Sequence, residues 1–190
     1  MDPFWLIVLV LLTLVILYGI FIYNNLVRLK HNVSRAWSNI DVLLKQRHDE
    51  LPKLVETCKQ HMEFEQQTLE RVMQARAAVS EARESGNVKA LGQAETQMRF
   101  GLGNLFAVAE AYPELRASES FQHLHSRISS LESGIADRRE FYNDSVNHLN
   151  IRIEQFPDII VAKRLGFTAA TLLEFEEAEL KDVNMKQLFS

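Results

Sequence analysis

The sequence predicts an all-α protein: a single N-terminal transmembrane helix that continues into an antiparallel long-helix bundle. Three observations carry that expectation. An uncharged apolar run of membrane-spanning length lies close to the N-terminus, and apolar residues then recur at steps of three and four through most of the remaining chain. Turn chemistry is sparse, with seven Gly and four Pro in 190 residues, too few for the tight turns of a β-sandwich or barrel. A chain that is 47% hydrophobic and 24% charged is not disordered, and the single Cys58 excludes an intramolecular disulfide framework. The net charge of −4 argues against a general nucleic-acid binder, so no nucleic-acid partner is expected.

The first element is FWLIVLVLLTLVILYGIFIY, from Phe4 to Tyr23. A helix of this length covers the roughly 30 Å hydrocarbon layer at about 1.5 Å per residue and satisfies its own backbone there. Trp5 and Tyr23 fall near the two interfaces, where amphipathic rings prefer to sit. A cleaved signal peptide is the rival reading. It requires a basic start, a shorter apolar core and a small-residue cleavage site, whereas here Asp2 leads and Tyr23-Asn24-Asn25 follows. After the span come Arg28, Lys30 and Arg35 with no acid until Asp41. The positive-inside rule therefore places the N-terminus outside and the bundle in the cytoplasm. Residues 1–23 form the anchor, 24–167 the bundle and 168–190 a tail.

The bundle is expected as helices over about 24–84, 88–111 and 118–156, with a short one over 158–166. In the first, Val33, Trp37, Ile40, Leu44, Arg47, Leu51, Leu54 and Cys58 form a narrow coiled-coil-like stripe. After one extra residue the spacing resumes at Met62, which reads as a stutter within one continuous helix. Pro52 is the one breaker before Gly86 and is expected to kink the helix near His48. Glu84-Ser85-Gly86-Asn87 is a turn, and the second helix carries Leu91, Met98, Leu102, Leu105 and Ala109 inward. Gly101 and Gly103 imply either a close backbone approach or a bend there. Tyr112-Pro113 closes this element, and Ser118 caps the third helix, whose stripe runs from Phe121 to Phe156 and stops at Pro157. At about 58 Å by helix rise, the third helix can pack antiparallel along most of the first.

The tail places Glu174, Glu176, Glu177, Glu179 and Asp182 against Lys181 and Lys186, as a solvated acidic segment does. Its apolar residues, Phe175 and Phe189 among them, leave docking onto a neighbouring subunit as the alternative.

The span followed by YNNLVRLKHNVSRAWSNIDVLLKQRHDELPKLVETCKQH resembles the LemA family. The resemblance continues through Arg76-Ala77, Ala111-Tyr112-Pro113-x-Leu115, Arg139-x-Phe141-Tyr142-Asn143 and Phe156-Pro157-x-x-Ile160-x-Ala162, and so covers nearly the whole chain. Departures are the stretch Phe106-Ala107-Val108-Ala109-Glu110-Ala111 and a longer, more acidic end. The resemblance implies a bacterial inner-membrane protein, N-terminus outside, with an antiparallel helical bundle and no assigned reaction. A related branch of the family is associated with building magnetosome membranes.

A di-iron bundle needs inward Glu-x-x-His motifs, but the nearest approach is Glu119 with His123, at the wrong spacing. His123 and His125 project to nearly opposite sides of a helix. Cys58 lies on an apolar stripe, where a small buried hydrophobe is expected rather than a nucleophile. No catalytic, cofactor-binding or metal residue is therefore expected, and the protein is read as not an enzyme. Four residues are membrane-interface candidates: Trp5, Tyr23, Arg28 and Lys30. Candidate packing or oligomer contacts are Asp41, Arg47, Glu56, Arg139, Asn143, Asn150, Phe175 and Phe189. For Arg47 the plain reading is a side chain snorkelling at the stripe edge. The sharper one pairs Arg47 or Arg139 with a carboxylate such as Asp41, Glu56 or Asp144 to fix register. For Asn143 and Asn150, solvated surface amides are weighed against a polar ladder. A second apolar face around Leu43, Phe64 and Met73 suggests lateral association. The expected partners are the lipid bilayer, further copies of the chain as a homo-oligomer, and other membrane proteins. The leading function is a self-associating scaffold that organises or shapes the inner membrane, and the alternative is a non-enzymatic adaptor or sensor that recruits a partner.

Overall fold

A computed structural model describes residues 3–62 and 65–175. The described residues form six helices and no strands: α1 Pro3–Lys59, α2 Gln66–Glu84, α3 Val88–Ala109, α4 Pro113–Ala117, α5 Glu119–Glu154 and α6 Asp158–Arg164. They divide into two compact units. The first holds Met1–Ile40 with Arg138–Leu172, and the second holds Asp41–Asp137 with the described start of Leu173–Ser190.

In the first unit, every residue from Pro3 to Tyr18 is exposed, Leu12 and Val15 by 62% and 70%. Such a run finds no partner among the described residues, as expected of a helix whose solvent is lipid. Burial starts abruptly at Ile22 and Leu26, which pack with Leu149 and Ile153 of α5 and Ala162 of α6. About three turns beyond Leu26, the Trp37 ring lies 5.5 Å from that of Tyr142. Position rises along α1 as it falls along α5, so the two helices run antiparallel here. After α5 the chain passes a cis Phe156-Pro157 bond into α6, and past the cap residue Leu165 the chain turns at Gly166 in the left-handed region, φ 73°.

In the second unit the continuous helix expected over 24–84 is two helices. α1 ends at Lys59, the His61 and Met62 N–H groups both donate to Cys58 O, and α2 begins at Gln66. α2 then returns antiparallel along α1, with Arg76 at His48 and Arg83 at Asp41. The one-residue slip in the stripe marks this reversal. Turning back buries Met62, Leu69, Val72, Ala75 and Val79 within the same chain, which an extended helix would have left to an external partner. Pro52 stays inside α1. Its ring nitrogen cannot donate to the His48 carbonyl four residues back, and Arg76 Nε supplies that hydrogen bond instead at 2.9 Å.

Gly86, at φ 66°, turns α2 into α3, and the Asn87 side chain caps α3 by accepting from Ala90 N–H at 3.0 Å. The two glycines of α3 differ. A Cβ at Gly101 would stand 3.6 Å from Val72 Cα, so α2 does approach closely, whereas Gly103 faces open space. Pro113, expected only to close α3, is the first residue of the additional short helix α4, where its missing N–H costs nothing. Leu115 of α4 is buried. Cys58 is buried too, and burial pushes its thiol up to about 11.

Candidate functional site

The four membrane-interface candidates belong to the first unit. Trp5 is exposed and sits edge-on to Phe4. Tyr23, also exposed, meets the ring of Phe167 edge-on at 6.1 Å. Arg28 Nη2 donates to Asn25 Oδ1 at 2.8 Å, within the turn that follows the apolar run. Lys30 lines a cleft of about 360 Å³ together with Val33, Trp37, Tyr142, Phe167 and Ala170.

One wall of that cleft is the strap that follows α6, and α5 ties it down. Asn150 Nδ2 donates to Ala170 O and Asn150 Oδ1 accepts from Ala170 N–H, both at 2.9 Å. Tyr142 Oη donates to Thr171 O at 2.9 Å, and burial holds the phenol above its ordinary pKa. Asn150 is therefore neither a solvated amide nor a rung pairing with Asn143. It is a two-point clamp that satisfies both backbone groups of one residue. Arg139 and Asn143 are half-buried on the same helix, and neither lacks a partner.

The second unit contains a buried charge cluster. Arg47 does not snorkel, since only 1% of it is exposed. Its Nη1 donates to Glu95 Oε2 at 2.9 Å and also to Glu132 Oε1, while Nη2 donates to Glu95 Oε1. The carboxylates that Arg47 meets come from α3 and α5 and are not Asp41, Glu56 or Asp144. Burial opposes the charge on Arg47, yet the two carboxylates outweigh it and raise the guanidinium pKa. Burial also pushes the Glu95 carboxyl above the usual carboxylate range, with Arg47 opposing. The sequence carried a signal for Glu95, because it fills the gap in the inward stripe Leu91, Met98, Leu102. Asp41 pairs instead with Arg83 at 3.3 Å, and Glu56 is exposed.

The tail begins as a packed segment rather than a solvated one. Leu173 is buried, the Glu174 carbonyl lies where a Cβ on Gly92 would be, 2.0 Å away, and the Arg99 guanidinium stands 5.8 Å from the Phe175 ring. Gly92 is thus the glycine of α3 whose missing side chain matters most, and no local turn signal marked it. Leu43 packs on Gly134 of the same chain, and Met73 lines a cleft with Val55, Met62 and Leu69, so this face is largely taken up internally. Phe64 and Phe189 lie outside the described residues. His125 sits between the rings of Phe106 and Phe121, at 4.3 and 6.0 Å. Among the described residues no three His, Cys, Asp or Glu side chains group to hold a metal.

One helix long and apolar enough to cross a membrane, leading into helical units closed by internal polar ties, defines a membrane-associated helical-bundle protein. Comparison with known proteins makes this specific. The chain belongs to the LemA family, whose family model matches residues 36–186. It is 27% identical over 191 residues to Protein LemA of Metamycoplasma hominis, an alignment covering 98% of this chain and 85% of that protein. It is 25% identical over 190 residues to Magnetosome protein MamQ 2 of Paramagnetospirillum magneticum, covering 88% and 70%. Magnetosome protein MamQ of Magnetospirillum gryphiswaldense is 24% identical over 168 residues, covering 76% and 62%.

Proposed function

We propose that this protein is a non-enzymatic scaffold, anchored in the bacterial inner membrane by α1 with its N-terminus outside, whose copies associate laterally to organise the membrane. The observation that carries the reading is the fully exposed apolar run of α1, continuous with the helix that enters both units. Arg28, Lys30 and Arg35 after the run, against Asp2 before it, support the orientation. Exposed Val42 and Phe100 in the second unit offer apolar contact points between copies. Confinement to a membrane raises effective concentration, so weak contacts of this kind suffice. The buried Arg47 charge is paired with Glu95 and Glu132, which suits a structural role. Relatives named as magnetosome proteins fit the same reading.

The test is the particle size of the full-length protein in mild detergent, by light scattering and electron microscopy, beside a chain ending at Phe175. Large regular particles support the scaffold, and their dispersal on truncation assigns the subunit contact to 176–190. A monodisperse monomer or dimer in both sinks it and favours an adaptor.

A further inference from the structure

The end of the first unit that meets the apolar run exposes more apolar surface than its packing requires. Phe156 is 82% exposed, more than any large residue of the apolar run itself, of which Val15 is highest at 70%. Ile160 and Leu165 are 61% and 55% exposed, and Lys163 and Arg164 between them are exposed as well. Single exposed apolar residues are common on soluble surfaces, but three large ones interleaved with two cations in ten residues are a pattern.

Their level along α1 gives the pattern its meaning. Ala162 and Val161 of α6 pack against Ile22 and Leu26, and Phe167 against Tyr23, so α6 is held beside the residues where the apolar run ends. α5 approaches the same level from Tyr142 through Ile153, and Phe156 follows it. Asp158 is buried and ion-paired with Arg152, leaving Lys163 and Arg164, with Arg28 and Lys30 of α1, against the exposed Glu154. Aromatic and aliphatic residues beside cations suit the boundary between acyl chains and anionic headgroups.

We propose that 156–165, comprising α6 and its flanks, is a second membrane contact that lies in the interfacial layer of an anionic bilayer beside the point where α1 leaves it. The surface immerses Phe156, Ile160 and Leu165 and sets Lys163 and Arg164 among lipid phosphates. With α1 it makes a two-point attachment that fixes the tilt and rotation of the first unit on the membrane. The inference rests on the membrane reading of α1 and is independent of self-association.

The test uses the full chain with Cys58→Ala and one spin-labelled cysteine at a time, Val15→Cys, Ile160→Cys or Glu140→Cys. The protein is reconstituted in vesicles of phosphatidylcholine alone or with phosphatidylglycerol, and label accessibility to oxygen and to a water-soluble nickel chelate is compared. Glu140 is the aqueous reference, being exposed next to Tyr142, which pairs with Trp37 about 20 Å beyond Tyr23 by helix rise. The oxygen-to-nickel ratio at 160 is expected to exceed that at 140 several-fold, to rise further with phosphatidylglycerol, and to lose that rise in Lys163→Glu/Arg164→Glu. A lipid-like label at 15 with an aqueous label at 160 overturns the proposal alone. An aqueous label at 15 overturns the membrane reading and the proposal together. A label at 160 shielded from both reagents and dipolar-coupled to another 160 means a second copy covers the surface, which also overturns it.

Discussion

Replacing Arg47 by methionine leaves the Glu95 carboxylate, 1% exposed, without its hydrogen-bonded counter-charge and with only the weaker pull of Arg99, while Glu132, 23% exposed, can turn to water. Removing one partner of a buried pair costs about 3–5 kcal/mol, and nearly all of it falls here on Glu95. For a protein of this size, about 2–4 °C of Tm accompanies each kcal/mol, so Arg47→Met is expected to melt about 6–20 °C below the parent. Circular dichroism of the full-length protein in one detergent measures it. The deficit should also depend on pH with a definite sign. Burial already raises the Glu95 pKa, and losing Arg47 removes the larger opposing effect and leaves only that of Arg99, so the folded variant holds a proton that the unfolded chain releases. Its stability therefore falls as pH rises through the unfolded carboxylate range toward the folded pKa, and the deficit narrows on acidification. Replacing both buried partners, Arg47→Met with Glu95→Leu, removes the stranded charge and should return Tm to near the parent value. A single variant melting within two degrees of the parent, or a double variant no better than the single, would refute the reasoning.

Further expectations concern the other ties. Gly92→Ala drives a methyl group into the Glu174 carbonyl, so it should destabilise by about 1–3 kcal/mol and expose the chain near Phe175 to protease. Gly103→Ala, facing open space within the same helix, should instead stabilise by about 1 kcal/mol, and the two melts together check the packing of α3. Asn150→Leu leaves both backbone groups of Ala170 unpaired, at a cost of about 1–3 kcal/mol, and hydrogen exchange should show faster exchange at Ala170 N–H while α5 stays protected. Burial and the nearby Arg76 guanidinium lower the His48 pKa, so the unfolded chain binds the proton more readily. Its contribution to stability is present above the ordinary histidine pKa and is lost as pH falls through the folded one. The Tm of His48→Gln should therefore change less than the parent's between neutral and mildly acidic pH.

Patterns of uniform period were readable in the sequence, and reversals and polar ties were not. The apolar run up to Tyr23 and the long stripe of α5 follow from composition and spacing, because lipid and a continuous partner each impose one rule over many residues. The reversal after Lys59 carries no Gly or Pro, and its only trace is a one-residue slip that a stutter explains equally well. Arg47 stood out as a charge on an apolar stripe, but choosing among carboxylates requires knowing which helices face it. Glu95 could have been found from its own stripe, and Glu132 could not, since it lies at the edge of one. The clamp between Asn150 and Ala170 joins a side chain to a backbone twenty residues away, and no local pattern encodes such a contact.

The hydrogen bond from Arg76 to the His48 carbonyl also makes the order of substitution matter. While proline occupies position 52, losing Arg76 strands a carbonyl, so Arg76 is held in place by a residue it does not touch through that bond. Once Pro52 is exchanged for an ordinary helix former, the ladder supplies its own donor and position 76 becomes free to drift. The two positions are thus a one-way pair, with an open path through 52 first and a closed one through 76 first.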